Sequence, residues 1–449
     1  MRPALVALIL SLGWMMPNSG AFAQGGLAII RDAEIEGIIR AYTAPLFEAA
    51  AINPQSVKIR LINKNSLNAF VAGGRNIFVH TGLLTASKSP DEVIGVLAHE
   101  IGHIEGGHLV RTRAAIEEAG TMQLLGTVLG VIAAVGTKNA EAGQAIMLGS
   151  QSSAASVFMK YSRTQESAAD QAAMRLMDAT ERSSKGLENF LSLLGEQEVL
   201  TRRLQDPYAQ THPLSRDRIQ TLRHHIANSP YSNREPTADE LLSHAIMVAK
   251  IKAFFNSLRD TMRDYPETDQ SFPARYARTI AYYRDGQLKK ALPMINELIA
   301  EMPKNPYLLE LKGQMLFEFA RADEALEAYT SAVELAPNEP LIIMELARVE
   351  LEIGTAELLD RSIEHYKTVH RLGGANGFTW KQLGIAYGRQ GDMTMSSLAL
   401  AEAELRRRQW PNAEYHANRA LNALKPGTPE HLQAQDILEA IKTVKSRKK

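Results

Sequence analysis

The 449-residue chain contains no cysteine. Disulfides, thiolate metal sites, a cysteine nucleophile and a lipid-modified N-terminal cysteine are therefore excluded, and any metal site must be built from His, Asp and Glu. Net charge is lacking too: fifty Lys and Arg balance fifty Asp and Glu. Nothing in that balance points to nucleic acid as a partner. The one basic concentration, Lys442 to Lys449, reads as a short solvated tail. Long hydrophobic runs are also absent. Met122 to Val135 is the single greasy internal stretch, and Gly126 and Gly130 interrupt it. It is shorter than the roughly 20 residues a span needs, so it reads as a lid or a helix pair in peripheral contact with a membrane.

The length exceeds what one hydrophobic core comfortably serves, so two or more domains are expected. At the N-terminus, Arg2 precedes an apolar run from Ala4 to Met16, then Pro17 to Gly20 and the small-x-small pattern Ala21-Phe22-Ala23. This reads as a secretory signal peptide over residues 1–23, cut after Ala23.

Residues 31–51 have helical spacing, and Val57 to Ile62 alternates as a half-buried strand does. Two apolar runs flank Gly73-Gly74 between Asn68 and His80, which predicts a β-hairpin. Ser89, Pro90 and Glu92 then predict a helix start with a capping box, and Gly106-Gly107 its end. A boundary is expected over 227–237. Beyond it the sequence repeats: Ala291 and Ala325 stand 34 residues apart, as do Pro303 and Pro337, and Trp380-x-x-Leu383-Gly384-x-x-Tyr387 follows. These features resemble tetratricopeptide repeats, helix pairs that stack into a protein-binding surface. Residues 355–375 and 393–413 break the register. The expected layout is a first domain over 24–226, a linker with a connecting helix over 227–270, and an all-α repeat domain over 271–449.

The chemistry centres on His99-Glu100-Ile101-Gly102-His103. Two histidines four apart on a helix point to one side and can share one zinc ion. Val93, Ile94, Leu97, Ile101 and Ile104 form a separate apolar stripe, so the helix is expected to bury that stripe and offer the histidines to a cleft. Glu100, next to the first ligand, suits a general base acting on a metal-bound water and then a proton donor to the leaving amine. A third protein ligand is needed. A histidine six residues after the second would fall on Leu109, one beyond His108, so His108 reads as a helix-end or outer-sphere residue. Glu166 is the stronger candidate. It shares a helical face with Asp170, which suits Asp170 to accept the free ring N–H of a ligand histidine.

Together these residues resemble the gluzincin family of the CAAX prenyl proteases and the HtpX-type membrane proteases. The resemblance spans roughly residues 60–220 and rests on Asn68-Ala69-Phe70, Gly73-Gly74, Gly82-Leu83-Leu84, His99-Glu100-x-x-His103, Arg163-x-x-Glu166-x-x-Ala169-Asp170 and Thr211-His212-Pro213-x-x-x-x-Arg218. It implies an α+β zincin-like domain, mostly helical with a small sheet, holding one zinc ion on His99, His103 and Glu166, with Glu100 catalytic. It also implies that His212 and Arg218 reside in the cleft. Either suits an oxyanion partner, and His212 alternatively a latch at the open metal position. Asn68, Ala69 and Phe70 would belong to a strand edge that pairs with extended substrate. With a signal peptide and repeats added, the layout resembles periplasmic proteases of Gram-negative bacteria that act in outer-membrane protein quality control, combining proteolysis with chaperone activity. Unfolded or misassembled proteins would be substrates, and the β-barrel assembly machinery a partner of the repeats. The competing expectation is a repeat scaffold or chaperone whose protease domain serves mainly for binding.

Overall fold

The computed structural model describes residues 28–108, 163–197, 212 and 216–446. The expected leader and the apolar stretch 122–135 lie outside them. The chain divides into two compact units, Met1–Arg31 with Ile39–Thr237, and Asp32–Ile38 with Ala238–Lys449.

The first unit is built on a small mixed sheet in the order β1-β2-β4-β3. Its strands are β1 (Ile29–Ile30), β2 (Lys58–Ile62), β3 (Ala69–Ala72) and β4 (Asn76–His80). The hairpin turning at Gly73-Gly74 forms as expected, with Ala69 opposite Val79 and Ala72 opposite Asn76. β4 also runs parallel to β2, from Lys58 against Asn76 to Ile62 against His80. This leaves β3 at the edge of the sheet.

Helices surround the sheet. The helix expected over 31–51 is α1 (Ala33–Ala49), and α2 (Thr81–Ala86) follows β4 directly. The motif helix is α3 (Pro90–Glu105), residues 163–179 form α4, and α5 (Lys185–Gln197) and α6 (Arg216–Asn228) complete the unit. The start of α3 differs from the expected capping box. Ser89 has the extended backbone of an N-cap, but its hydroxyl makes no cap hydrogen bond. The Glu92 carboxylate instead accepts the Lys88 amide, at 2.9 Å. Asp91 and Glu92 still place negative charge in the first turn, where the helix dipole favours it.

A larger difference concerns burial. Every residue of α3 from Pro90 to Gly102 is buried, not one stripe. β3 and α5 both pack on it, and α4 approaches closely at Gly102, where an added Cβ would stand 2.8 Å from the Ala169 carbonyl oxygen. A glycine is required there, and its small size brings α4 against the histidine end of α3.

The second unit is all helical. After α7 (Ala238–Phe255) and α8 (Leu258–Asp264) come five helix pairs: α9 (Phe272–Arg284) with α10 (Leu288–Glu301), α11 (Pro306–Glu318) with α12 (Ala322–Leu335), α13 (Pro340–Ile353) with α14 (Ala356–Arg371), α15 (Gly377–Gln390) with α16 (Met393–Arg406), and α17 (Trp410–Leu421) with α18 (Pro429–Ser446). Thus α7 and α8 occupy most of the stretch expected as linker and belong to this unit. Ala291 and Ala325, the periodic alanines, are both fully buried. First helices start at 272, 306, 340, 377 and 410, so two intervals of 34 residues are followed by 37 and 33. The longer α14 and the turn before α15 cause the break in register, while the stack itself continues. Asp32–Ile38, with the first residues of α1, belong to this unit, and within it Asp32 and Glu34 both pair with Lys250, at 2.9 and 3.1 Å. No helix among the described residues is long and apolar enough to cross a membrane.

Candidate metal centre

Three elements and one loop residue meet at the end of α3. That helix supplies His99, Glu100 and His103, α4 supplies Glu166 and Asp170, the loop before α6 supplies His212, and α6 supplies Arg218. One donor atom from each of His99, His103, Glu166 and His212 lies within 4.8 Å of all the others.

Hydrogen bonds behind the rings decide which nitrogens face inward. His99 Nδ1 stands 2.9 Å from Asp170 Oδ1, so its Nε2 is turned to the centre. His103 Nδ1 stands 2.9 Å from His108 Nδ1, so its Nε2 also points inward. The two Nε2 atoms are 3.1 Å apart. Nitrogens bound tetrahedrally to one zinc at about 2.0–2.1 Å would stand about 3.3 Å apart. Glu166 approaches both, with Oε2 3.4 Å from His99 Nε2 and Oε1 3.4 Å from His103 Nε2. Two imidazoles with converging lone pairs and one carboxylate fit zinc, whose sites take nitrogen and oxygen donors in this geometry.

His212 closes the arrangement. Its Nδ1 lies 3.2 Å from both Glu166 oxygens and 3.4 Å from His99 Nε2, and its Nε2 lies 3.6 Å from Glu100 Oε1. Arg218 stands behind the ligands. It donates from Nε and Nη2 to the two Asp170 oxygens, at 2.6 and 2.9 Å, and its Nη1 stands 3.0 Å from Glu166 Oε2. The bidentate fork holds Asp170 in the plane that His99 needs.

The electrostatics follow from burial and these partners. Burial lowers the affinity of His99 for a proton, but Asp170 and Glu166 outweigh it and bring its pKa up to about 10. His103, which shares Glu166 but has no counterpart of Asp170, is dominated by burial and falls to about 3. Burial pushes Glu166 up, yet His212 and the hydrogen bonds from the histidines hold it well below the usual carboxylate range. Asp170 is likewise raised by burial and held down at about 2 by Arg218 and His99. Glu100 behaves differently. Burial raises its pKa, opposed by His212 and His99. Both its oxygens are buried without a full hydrogen bond, and the nearby Val71 amide on β3 favours the ionised form.

The candidate residues from α3, α4 and α6 and the loop residue His212 are thus brought together. Asn68 is buried just before β3, and Ala69 and Phe70 lie on that edge strand. Phe70 stacks on Phe78 at 5.0 Å. Val71 carries no sequence signal of its proximity to Glu100, because alternation identifies a strand without saying which amide turns toward a neighbouring helix.

Residues 31–226 match the model of Peptidase family M48. The chain is 22% identical to the Beta-barrel assembly-enhancing protease of Yersinia pestis over 76% of its own length and 70% of the relative's. It is 22% identical to the protein of that name from Escherichia coli (strain K12), covering 71% and 65%. It is 26% identical to a Putative beta-barrel assembly-enhancing protease of Vibrio cholerae, covering 56% and 52%. The chain therefore spans between about half and 70% of these relatives.

Proposed function

We propose that the chain is a zinc-dependent endopeptidase with Glu100 as its general base, its residues 31–226, which match the model of Peptidase family M48, forming the protease domain. The observation that carries the proposal is the Glu100 carboxylate, buried with neither oxygen in a full hydrogen bond beside four converging donor groups. Such a carboxylate is costly to bury unless something polar comes to it. His99, His103 and Glu166 would hold the ion, which when bound polarises the scissile carbonyl and acidifies water. Glu100 takes the proton from the attacking water and returns it to the leaving nitrogen, a role its raised pKa suits. Asp170 fixes the His99 ring, and Arg218 fixes Asp170. The edge strand β3, with Asn68, Ala69 and Phe70, pairs with the backbone of an extended substrate, so selection favours unfolded segments over particular side chains.

We assign His212 to a latch. It lies among the donors, 3.2 Å from both Glu166 oxygens, and its other nitrogen lies 3.6 Å from Glu100. Arg218 is committed to two carboxylates, so a positioning role suits it better than an oxyanion contact.

The wider role is an outer-membrane one. Relatives named as beta-barrel assembly-enhancing proteases support substrates among stalled or misassembled outer-membrane proteins, in the periplasm, with the helix-pair array docking the assembly machinery. The competing reading, a scaffold that only binds, makes the opposite prediction for one variant. Zinc content and cleavage of an unfolded protein are measured for the wild type and Glu100→Gln. Both should hold one zinc per chain, and the variant should lose cleavage by about 10²–10⁴-fold. Equal cleavage by both would end the enzyme reading.

A further inference from the structure

His108 follows the motif helix yet returns to it. Gly106 ends α3 and Gly107 adopts a left-handed backbone, φ +61°, that L side chains rarely enter. This turn folds the His108 ring back over the helix end. An added Cβ on Gly106 would stand 2.2 Å from His108 Nε2, so the ring occupies space that only a glycine leaves. His108 is itself buried, and its carbonyl oxygen accepts the Gln165 side-chain amide from α4, at 3.2 Å. Its Nδ1 meets His103 Nδ1 at 2.9 Å.

Two ring nitrogens at that distance share one proton. Where His103 Nε2 offers a lone pair to the centre, the His103 proton must sit on Nδ1 and be donated to His108 Nδ1. His108 then carries its own proton on Nε2. In the reverse arrangement His108 donates, His103 keeps its proton on Nε2, and that N–H faces Glu166 Oε1 at 3.4 Å. A metal ion selects the first arrangement, because only that one leaves a lone pair on Nε2.

We propose that Gly106-Gly107-His108 is an outer-sphere device that sets the tautomer and orientation of His103, with His108 as its hydrogen-bond acceptor. The proposal rests on the zinc reading above, and it goes beyond that reading by naming what orients the second histidine. Asp170 serves His99 in the corresponding way with a carboxylate oxygen, whereas His103 receives a ring nitrogen. Losing such an acceptor typically weakens metal binding by about 10–100-fold.

The test measures zinc affinity by competition with a chromogenic chelator, together with the visible absorption of the cobalt-substituted protein, for the full chain. Three variants are compared with wild type. His108→Phe keeps a ring of similar bulk without an acceptor, His108→Gln restores an acceptor oxygen, and Gly106→Ala keeps the histidine but displaces its ring. The expected result is affinity lower by about 10–100-fold in His108→Phe and Gly106→Ala, with altered cobalt absorption, and recovery of most of that loss in His108→Gln. Thermal melts of the zinc-free proteins separate a folding defect from a binding defect. Wild-type affinity in His108→Phe overturns the proposal, and so does an equal loss in His108→Phe and His108→Gln, which would mean bulk alone. A wild-type protein that takes up no zinc overturns the zinc reading itself.

Discussion

Replacing Arg218 with alanine tests the electrostatic design of the site most directly. Arg218 is 5% exposed, and it faces Asp170 and Glu166, which are 4% and 3% exposed. Three of its nitrogens lie within 2.6–3.0 Å of their oxygens. Its removal leaves two buried carboxylates with only imidazoles for partners. Breaking a buried pair by removing one member costs about 3–5 kcal/mol. For a unit of roughly 200 residues, 1 kcal/mol moves the melting temperature by about 2–4 °C, so a drop of about 6–20 °C is expected. The loss should be larger in chelator-treated protein than in zinc-loaded protein, because a cation on Glu166 compensates part of the deficit. Arg218→Lys keeps the charge without the fork and should fall between. The pair also sets an acid limit. The Asp170 pKa falls from 3.8 to about 2 on folding, so its stabilisation is fully present above about pH 4 and is lost as pH falls through about 2. Arg218→Ala should therefore raise the pH midpoint of acid unfolding. Circular-dichroism melts with and without zinc, and an acid titration, read these effects. An alanine variant that melts within about 1 °C of wild type in both states would refute the argument.

His212→Ala removes the group standing among the donors, and a hydrogen bond to a charged partner is worth about 1.5–3 kcal/mol. Turnover of an unfolded substrate should therefore rise about tenfold or more, whereas a fall comparable to that of Glu100→Gln would make His212 catalytic and not a latch. Zinc uptake at pH 7 should release at least about one proton per chain, because His99, at about 10, is protonated there and must give up the Nε2 proton to ligate. Calorimetry in buffers of different ionisation enthalpy measures that count, and zero would contradict the assignment. In the repeats, the Asn376 side chain accepts the Phe378 and Thr379 amides at 2.8 and 3.1 Å, and the Thr379 hydroxyl oxygen accepts the Asn376 amide in turn. Asn376→Ala should cost about 1 kcal/mol, with faster amide exchange confined to α15 and its neighbours, and exchange spread evenly over the unit would count against a local cap.

What the sequence made legible was local in origin. The hairpin follows from alternation around Gly73-Gly74, and α3 from Pro90 and the acidic first turn, because those signals act within a few residues. The helix pairs follow from a 34-residue period, and the period is lost after residue 354, where α14 is longer and the intervals change to 37 and 33 residues. What stayed hidden required knowing the neighbours of each element. Periodicity gave α3 one apolar stripe, but β3 and α5 pack on it and α4 meets it at Gly102, so the metal face is buried too. The Arg218–Asp170 fork joins residues 48 apart, and no spacing rule points from one to the other. The His103–His108 bond spans only five residues. It was missed as a specific contact because it depends on a left-handed turn at Gly107, and a glycine pair marks a helix end without giving the direction the chain then takes.

The charges around the centre explain why these contacts form one system. Three carboxylates are buried at the centre, Glu100, Glu166 and Asp170, and among the described residues one guanidinium, Arg218, reaches two of them, Glu166 and Asp170. Fully ionised, that set carries two uncompensated negative charges in a region of low polarisability, a situation folded proteins relieve by shifting proton affinities. The shifts fall where relief is available: His99 rises to about 10 and takes a positive charge, and Glu100 rises toward its neutral form. Glu166 and Asp170 cannot respond in that way, because Arg218 and the histidines hold both as anions. A divalent cation on His99, His103 and Glu166 would supply the same two charges, displacing the His99 proton and favouring ionised Glu100. The deficit that makes the centre costly to bury thus gives it affinity for a dication, and it couples binding of that ion to the state in which Glu100 can accept a proton.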